Sequence, residues 1–159
     1  MAIAYLSLGS NIEPRTHLSE AIRELRDQFG SLCLSPVYES APVGFVGDPF
    51  LNLVVSLETF HSPEEIYHFL RAVESRHGRT RNEQKHSART LDIDLLLYAN
   101  AVRTEVPILP REEILRYAFV LRPLADLAPN ERHPILNVTY SDLWDAFDVT
   151  QQTLLLESL

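Results

Sequence analysis

The chain has 159 residues, 45% hydrophobic and 23% charged, which is enough for one domain with a core and excludes a disordered polyampholyte. Its formal net charge of −8 excludes a broad nucleic-acid footprint, because such a surface needs cations to neutralise phosphates. The single cysteine, Cys33, can close no internal disulfide and fits a reducing compartment.

The first residues are apolar but carry no basic leader, and no apolar run approaches the ~18 residues of a membrane span. A cytoplasmic protein without a membrane segment is expected. Residues 2–8 read as a buried strand that stops at Gly9-Ser10-Asn11. Leu18, Ile22, Leu25 and Phe29 then fall at helical spacing, and Gly30 suits the helix end. Residues 32–38 predict a second strand with Cys33 buried in it. Pro42, Gly44, Gly47 and Pro49 make residues 40–49 a loop. Residues 50–60, rich in Val, Leu and Phe, predict a strand covered on both faces.

Ser62-Pro63-Glu64-Glu65 is a helix start with a capping box, and Ile66, Phe69, Leu70 and Val73 supply its apolar stripe toward His77 and Gly78. Residues 79–87 are polar and basic and read as a mobile loop. Residues 91–98 form the next strand, with Asp92 and Asp94 on one face and Leu91, Ile93 and Leu95 on the other. A loop with Pro107 and Pro110 follows, and short helices are expected over 112–117, 119–127 and 141–147. The tail after Thr150 receives no element. The order strand-helix-strand-strand-helix-strand predicts an α+β fold over 1–159: a ferredoxin-like αβα sandwich with a mainly antiparallel sheet.

Within that frame, Arg89-Thr90-Leu91-Asp92-Ile93-Asp94 is the sharpest chemical feature. Two carboxylates at i and i+2 of a strand repel each other, and a hard divalent cation such as Mg²⁺ relieves that repulsion. Without a metal they are simply strand carboxylates. Arg79, Arg81 and Arg89 offer planar cations suited to phosphate oxygens, or else balance Glu74 and Glu83 in a solvated loop. The five glycines form no GxxxxGK[ST] and no GxGxxG, so any nucleotide must be held by side chains. Phe50 and Phe119 are either walls for a flat ring, with Asn52 as the polar partner, or core residues.

Taken together, these segments resemble the hydroxymethyldihydropterin pyrophosphokinase family. The resemblance rests on residues 4–11 (AYLSLGSN), 37–44 (VYESAPVG), Phe50-Leu51-Asn52, Gly78-Arg79-Thr80-Arg81, 89–98 (RTLDIDLLLY) and 119–129 (FVLRPLADLAP). It covers roughly residues 2–147, in the family's order. It implies transfer of diphosphate from MgATP to 6-hydroxymethyl-7,8-dihydropterin, with AMP released, in folate biosynthesis. Asp92 and Asp94 would hold two Mg²⁺ ions, and Ser40, Val43, Phe50, Asn52 and Phe119 would form the pterin pocket. Arg79, Arg81, Glu74, Leu95, Arg89 and Arg111 would face ATP, with Arg79 and Arg89 also catalytic. Partners would be the two substrates, with no nucleic acid and no membrane, and a monomer is the simplest expectation. Departures from the family pattern cluster on the ATP side. Arg111 stands where the family has histidine, Tyr117 where it has arginine, and His86 and Ser87 also differ. They motivate an alternative, a diverged paralogue that binds pterin or a partner with weak or no ATP-dependent catalysis.

Overall fold

The computed structural model describes residues 1–78, 90–150 and 152–159. Alternation in β1 (Ala2–Ser10) sends Ala4, Leu6 and Leu8 to one face, all at most 1% exposed. β1 pairs antiparallel with β4 (Phe50–Thr59) on one side and with β5 (Asp92–Tyr98) on the other. β4 in turn carries β2 (Leu32–Leu34) and β3 (Val37–Ser40). The order β5-β1-β4-β3, all antiparallel, is the split βαβ arrangement expected from the sequence.

The single strand expected over 32–38 is two. Ser35 and Pro36 separate them: Pro36 has no N–H to give a ladder, and the Ser35 hydroxyl instead accepts the Val54 N–H at 2.9 Å. Cys33, expected in the core, is exposed: it sits on β2, a three-residue strand paired alongside β4 at the margin of the sheet. The tail also departs from expectation. β6 (Leu154–Glu157) pairs antiparallel with β3 and extends the sheet, and Arg15 holds it through Glu157 and the Ser158 carbonyl, both at 3.1 Å.

Helices cover both faces. α1 (Pro14–Phe29) and α2 (Pro63–Arg76) pack on one, where Leu18, Ile22, Leu25, Ile66, Leu70 and Val73 meet Leu6, Leu8, Leu53, Val55, Ile93 and Leu95. α2 starts with the expected capping box, Ser62 and Glu65 each satisfying the other's backbone N–H. Gly30 and Gly78, at φ 83° and 85°, follow the ends of α1 and α2 in the left-handed region that glycine enters at little cost. The opposite face carries α3 (Glu113–Arg116), α4 (Ala118–Leu127) and α5 (Tyr140–Asp145). There Leu121 and Leu124 of α4 cover Val54, Leu96 and Leu97. Leu96 and Leu97 are consecutive yet share that face, because the β1–β5 register shifts between Tyr5 and Leu6. None of the described helices is long and apolar enough to cross a membrane.

β5 is one edge strand of the sheet, and α2 occupies its outer backbone groups. Glu74 Oε2 accepts the Ile93 N–H at 2.9 Å, and the Arg71 guanidinium donates to the Ile93 carbonyl. Arg71 is also in ion-pair contact with Glu74 at 3.0 Å. This polar hem closes an edge that would otherwise template another strand.

Candidate active site

One end of the sheet opens into a cleft of about 620 Å³, a size suited to small-molecule binding. Its floor is a row across three strands. Gly9 of β1 is directly opposite Asp92 of β5 and Asn52 of β4, and Ser7 is opposite Asp94. At ~4.8 Å per strand, Asp92 and Asn52 lie roughly 10 Å apart. A carboxylate end and an amide end therefore share one surface, with glycine between them. A Cβ at Gly9 would come within 3.1 Å of Asn52 Oδ1, so this close approach needs a residue without a side chain.

At the amide end, Asn52 Nδ2 donates to Ser40 Oγ at 2.8 Å and to the Tyr38 carbonyl at 3.2 Å. Both amide protons are thereby used, and Oδ1 is left over Gly9 as an acceptor for a ligand N–H. The walls are aromatic. Phe50 opens β4 and meets Phe45 edge-on at 6.4 Å, while Phe119 in the first turn of α4 is stacked by Tyr117 at 5.0 Å and 13°. Val43 and Ala41 of the loop complete this end. Phe50 and Phe119 are both half-buried and line one shared cleft, and Phe119 also packs against the core beneath α4.

At the carboxylate end, burial raises the pKa of Asp94, and Asp92 raises it further; Arg111 and Arg71 pull it back. Arg71 reaches Asp94 around the outer edge of β5, at 3.4 Å. Arg111 pairs with Glu113, and its backbone N–H donates to the Leu96 carbonyl, which fixes the loop before α3 against β5. Burial works against the Arg111 charge, but Asp94 and Glu113 hold its pKa above the usual guanidinium value. Arg116 and Tyr117 both face the cleft, and Arg116 is also paired to Glu112 at 3.4 Å.

Of the residues expected at a site, the cleft gathers Ser40, Val43, Phe50, Asn52, Asp92, Asp94, Arg111 and Phe119. It does not gather Glu74 and Leu95. Leu95 lies on the other face of β5, in the α1–α2 core, because side chains alternate along a strand, and Glu74 comes from α2 and is bonded to the outer edge of β5. Arg79, Arg81, Arg89, His86 and Ser87 lie outside the described residues.

Sequence reading missed several participants. Gly9 sits in a recognisable apolar-to-glycine stop, but its role depends on cross-strand register. Tyr117 gains its role by stacking. Arg71 looks like an ordinary helix surface residue, and its reach to Asp94 follows from β5 being at an edge. Behind the pocket, Tyr38 donates to Asp126 and receives Arg122 Nε at 3.1 Å, while Arg122 and Asp126 pair at 3.2 Å. That cluster ties β3 to α4, and so ties the strand carrying Ser40 to the helix carrying Phe119.

The model of the family 7,8-dihydro-6-hydroxymethylpterin-pyrophosphokinase (HPPK) matches residues 5–129. A 2-amino-4-hydroxy-6-hydroxymethyldihydropteridine pyrophosphokinase of Porphyromonas gingivalis is 41% identical over 136 residues, covering 81% of this chain and 92% of its own. The enzyme of that name from Pseudomonas aeruginosa is 38% identical over 139 residues, covering 82% and 83%. Among solved structures, the wild-type HPPK-DHPS of Plasmodium falciparum superposes with a TM-score of 0.73 at 16% identity. It covers 91% of this chain, which spans 40% of that longer one, and this likeness bears on the fold alone. With its matched segments lining the cleft, the chain belongs to the 7,8-dihydro-6-hydroxymethylpterin-pyrophosphokinase family.

Proposed function

We propose that the cleft carries out the family reaction, transfer of diphosphate from MgATP to 6-hydroxymethyl-7,8-dihydropterin with release of AMP. The observation that carries this reading is the row Asp92–Gly9–Asn52. It joins an end walled by Phe50 and Phe119 to a pair of repelling carboxylates roughly 10 Å away across three strands.

The pterin lies between Phe50 and Phe119. Asn52 Oδ1 accepts a ring N–H, and Ser40 and Val43 close the pocket. This places the hydroxymethyl group toward Asp92 and Asp94. The donor set there fits Mg²⁺: two carboxylates whose repulsion contributes to the raised pKa of Asp94, set beside a slot open to substrate oxygens. Asp92 and Asp94 would hold two such ions, which when bound supply positive charge against the triphosphate. Arg111 adds a fixed cation on the same side. Arg79, Arg81 and Arg89 are assigned to the phosphates from their sequence positions, with Arg79 and Arg89 as the catalytic pair. Glu74 and Leu95, which the family pattern places at the nucleotide, act through β5: Glu74 by holding Ile93, and Leu95 by seating the strand that presents Asp94.

Catalysis here is positioning and charge stabilisation. The pterin hydroxyl oxygen bonds to the β-phosphorus as the bond from that phosphorus to the α–β bridging oxygen breaks. AMP departs with the bridging oxygen, and the hydroxyl proton is released. Mixing the protein with MgATP and hydroxymethyldihydropterin tests the proposal directly. AMP and pterin diphosphate should form in equal amounts. Pterin binding with no AMP formed would overturn it.

A further inference from the structure

Away from the cleft, His17 in α1 and His77 at the end of α2 bring their Nδ1 atoms to 2.8 Å, with the two rings edge-on at 5.0 Å between centroids. The residues are sixty apart in sequence, so no local spacing announces the pair. Glu20, one turn beyond His17, points a carboxylate oxygen at the same place, 4.0 Å from His77 Nδ1. The three candidate ligand atoms all lie within 4.8 Å of one another.

The tautomer is set by a fourth residue. His77 Nε2 is 2.8 Å from Glu24 Oε2, and a carboxylate accepts, so Nε2 carries the proton. The Nδ1 lone pair of His77 is then aimed at His17 and Glu20. Glu24 is itself fixed by Arg76 at 2.7 Å; burial works to raise its pKa, but the bonds from His77 and Arg76 hold it below the usual carboxylate value. A ligating histidine whose far nitrogen donates to a carboxylate is how proteins orient imidazole toward a metal. The His77 side chain is 5% exposed while that of Glu20 is 48% exposed, so the site has a rigid inner ligand and a mobile outer one.

We propose that His17 Nδ1, His77 Nδ1 and the Glu20 carboxylate form a site for a divalent transition ion of the zinc class, with Glu24 orienting His77. Two imidazoles and one carboxylate suit Zn²⁺ and its neighbours and disfavour Mg²⁺, which takes oxygen ligands. Around a tetrahedral ion with bonds of ~2.05 Å, two nitrogens sit about 3.3 Å apart, so the rings need only open by roughly half an ångström. Glu20 closes by a rotamer change, and a fourth position stays open for water. The ion would replace the proton shared between the two imidazoles and staple the start of α1 to the end of α2.

The test uses Co²⁺ as a visible probe on the full chain, in excess Mg²⁺ so that Asp92 and Asp94 are occupied. One Co²⁺ should bind per chain with tetrahedral absorption bands, and Zn²⁺ should displace it. His17→Asn and Glu20→Gln, at partly exposed positions, should each weaken binding at least tenfold, and Glu24→Ala by ten- to a hundredfold. Asp92→Asn should leave the bands unchanged. Retention of wild-type affinity in His17→Asn and Glu20→Gln, or loss of the bands in Asp92→Asn, would overturn the assignment.

Discussion

In the cleft, Asn52 is held by Ser40 and Tyr38, Asp94 by Arg71 and Arg111 by Glu113, and on the proposed function substitutions there should separate the two substrates. Asp92→Asn or Asp94→Asn should cut turnover on the order of a hundredfold, because metal charge stabilisation is worth several kcal/mol, while pterin affinity changes little. Equilibrium pterin binding beside steady-state kinetics checks this, and near-normal turnover in both variants would contradict the metal assignment. Gly9→Ala probes the other end. Its Cβ would crowd Asn52 Oδ1 at 3.1 Å, and the amide cannot retreat without losing Ser40 and Tyr38. A roughly tenfold rise in KM for the pterin is expected, about 1.4 kcal/mol, together with a lower Tm as the buried Asn52 amide gives up part of its bonding. Arg111→Ala should weaken ATP binding and leave pterin binding intact, since Arg111 stands with Asp94 and Glu113 and away from Asn52. An equal loss of both would show that the cleft does not divide in this way.

At the scale of elements, the joint between α3 and α4 decides where Phe119 points. Gln152, beyond the residues matched to the family, clamps that joint: its Oε1 accepts the Ala118 N–H at 2.8 Å and its Nε2 donates to the Arg116 carbonyl at 3.0 Å. Ala118 begins α4, where the first N–H groups have no helical partner. Gln152→Ala should cost about 1–2 kcal/mol, at ~1 kcal/mol per net hydrogen bond, and lower Tm by several degrees. It should also raise KM for the pterin more than for ATP; an unchanged melting curve would make the clamp incidental. This joint also shows where sequence reading stops. Helices and core strands were legible because period 3.6 in α1 and α2, the Ser62 capping box and the apolar runs of β1 and β4 are local signals. The chemical pairings Asp92–Asp94 and Phe50–Asn52 were legible for the same reason, being i and i+2 on strands. The strand break at Ser35-Pro36 and the pairing of β6 were not. One depends on a serine hydroxyl meeting Val54, and the other is held by backbone bonds whose exposed leucines show no amphipathic pattern. Gly9, Arg71 and the His17–His77 contact depend on register or on packing between distant elements, which no window along the chain contains.

For the molecule as a whole, acidification sets groups of opposite sign against each other. His133 is 4% exposed and uncharged in the fold, its Nδ1 accepting the Ile135 and Leu136 N–H groups at 3.2 Å, and burial lowers its pKa. A histidine so depressed contributes stability that is complete above the unfolded value of ~6.5 and is lost as pH falls toward the folded one. Glu24, also depressed, acts in the same direction but lower, below the usual carboxylate value. Asp94 has the contrary sign: its raised pKa means that the folded state takes up a proton first, so acidification relieves a cost there. Global stability should therefore fall as pH drops from about 7.5 to 5.5, with His133 contributing at most ~1.4 kcal/mol per pH unit. Urea unfolding of wild type and His133→Asn across that range isolates the histidine. Asparagine at 133 retains an acceptor for the two N–H groups but cannot titrate, so its stability should decline less steeply than wild type. Parallel curves for wild type and His133→Asn would show that the buried imidazole does not govern the acid limb.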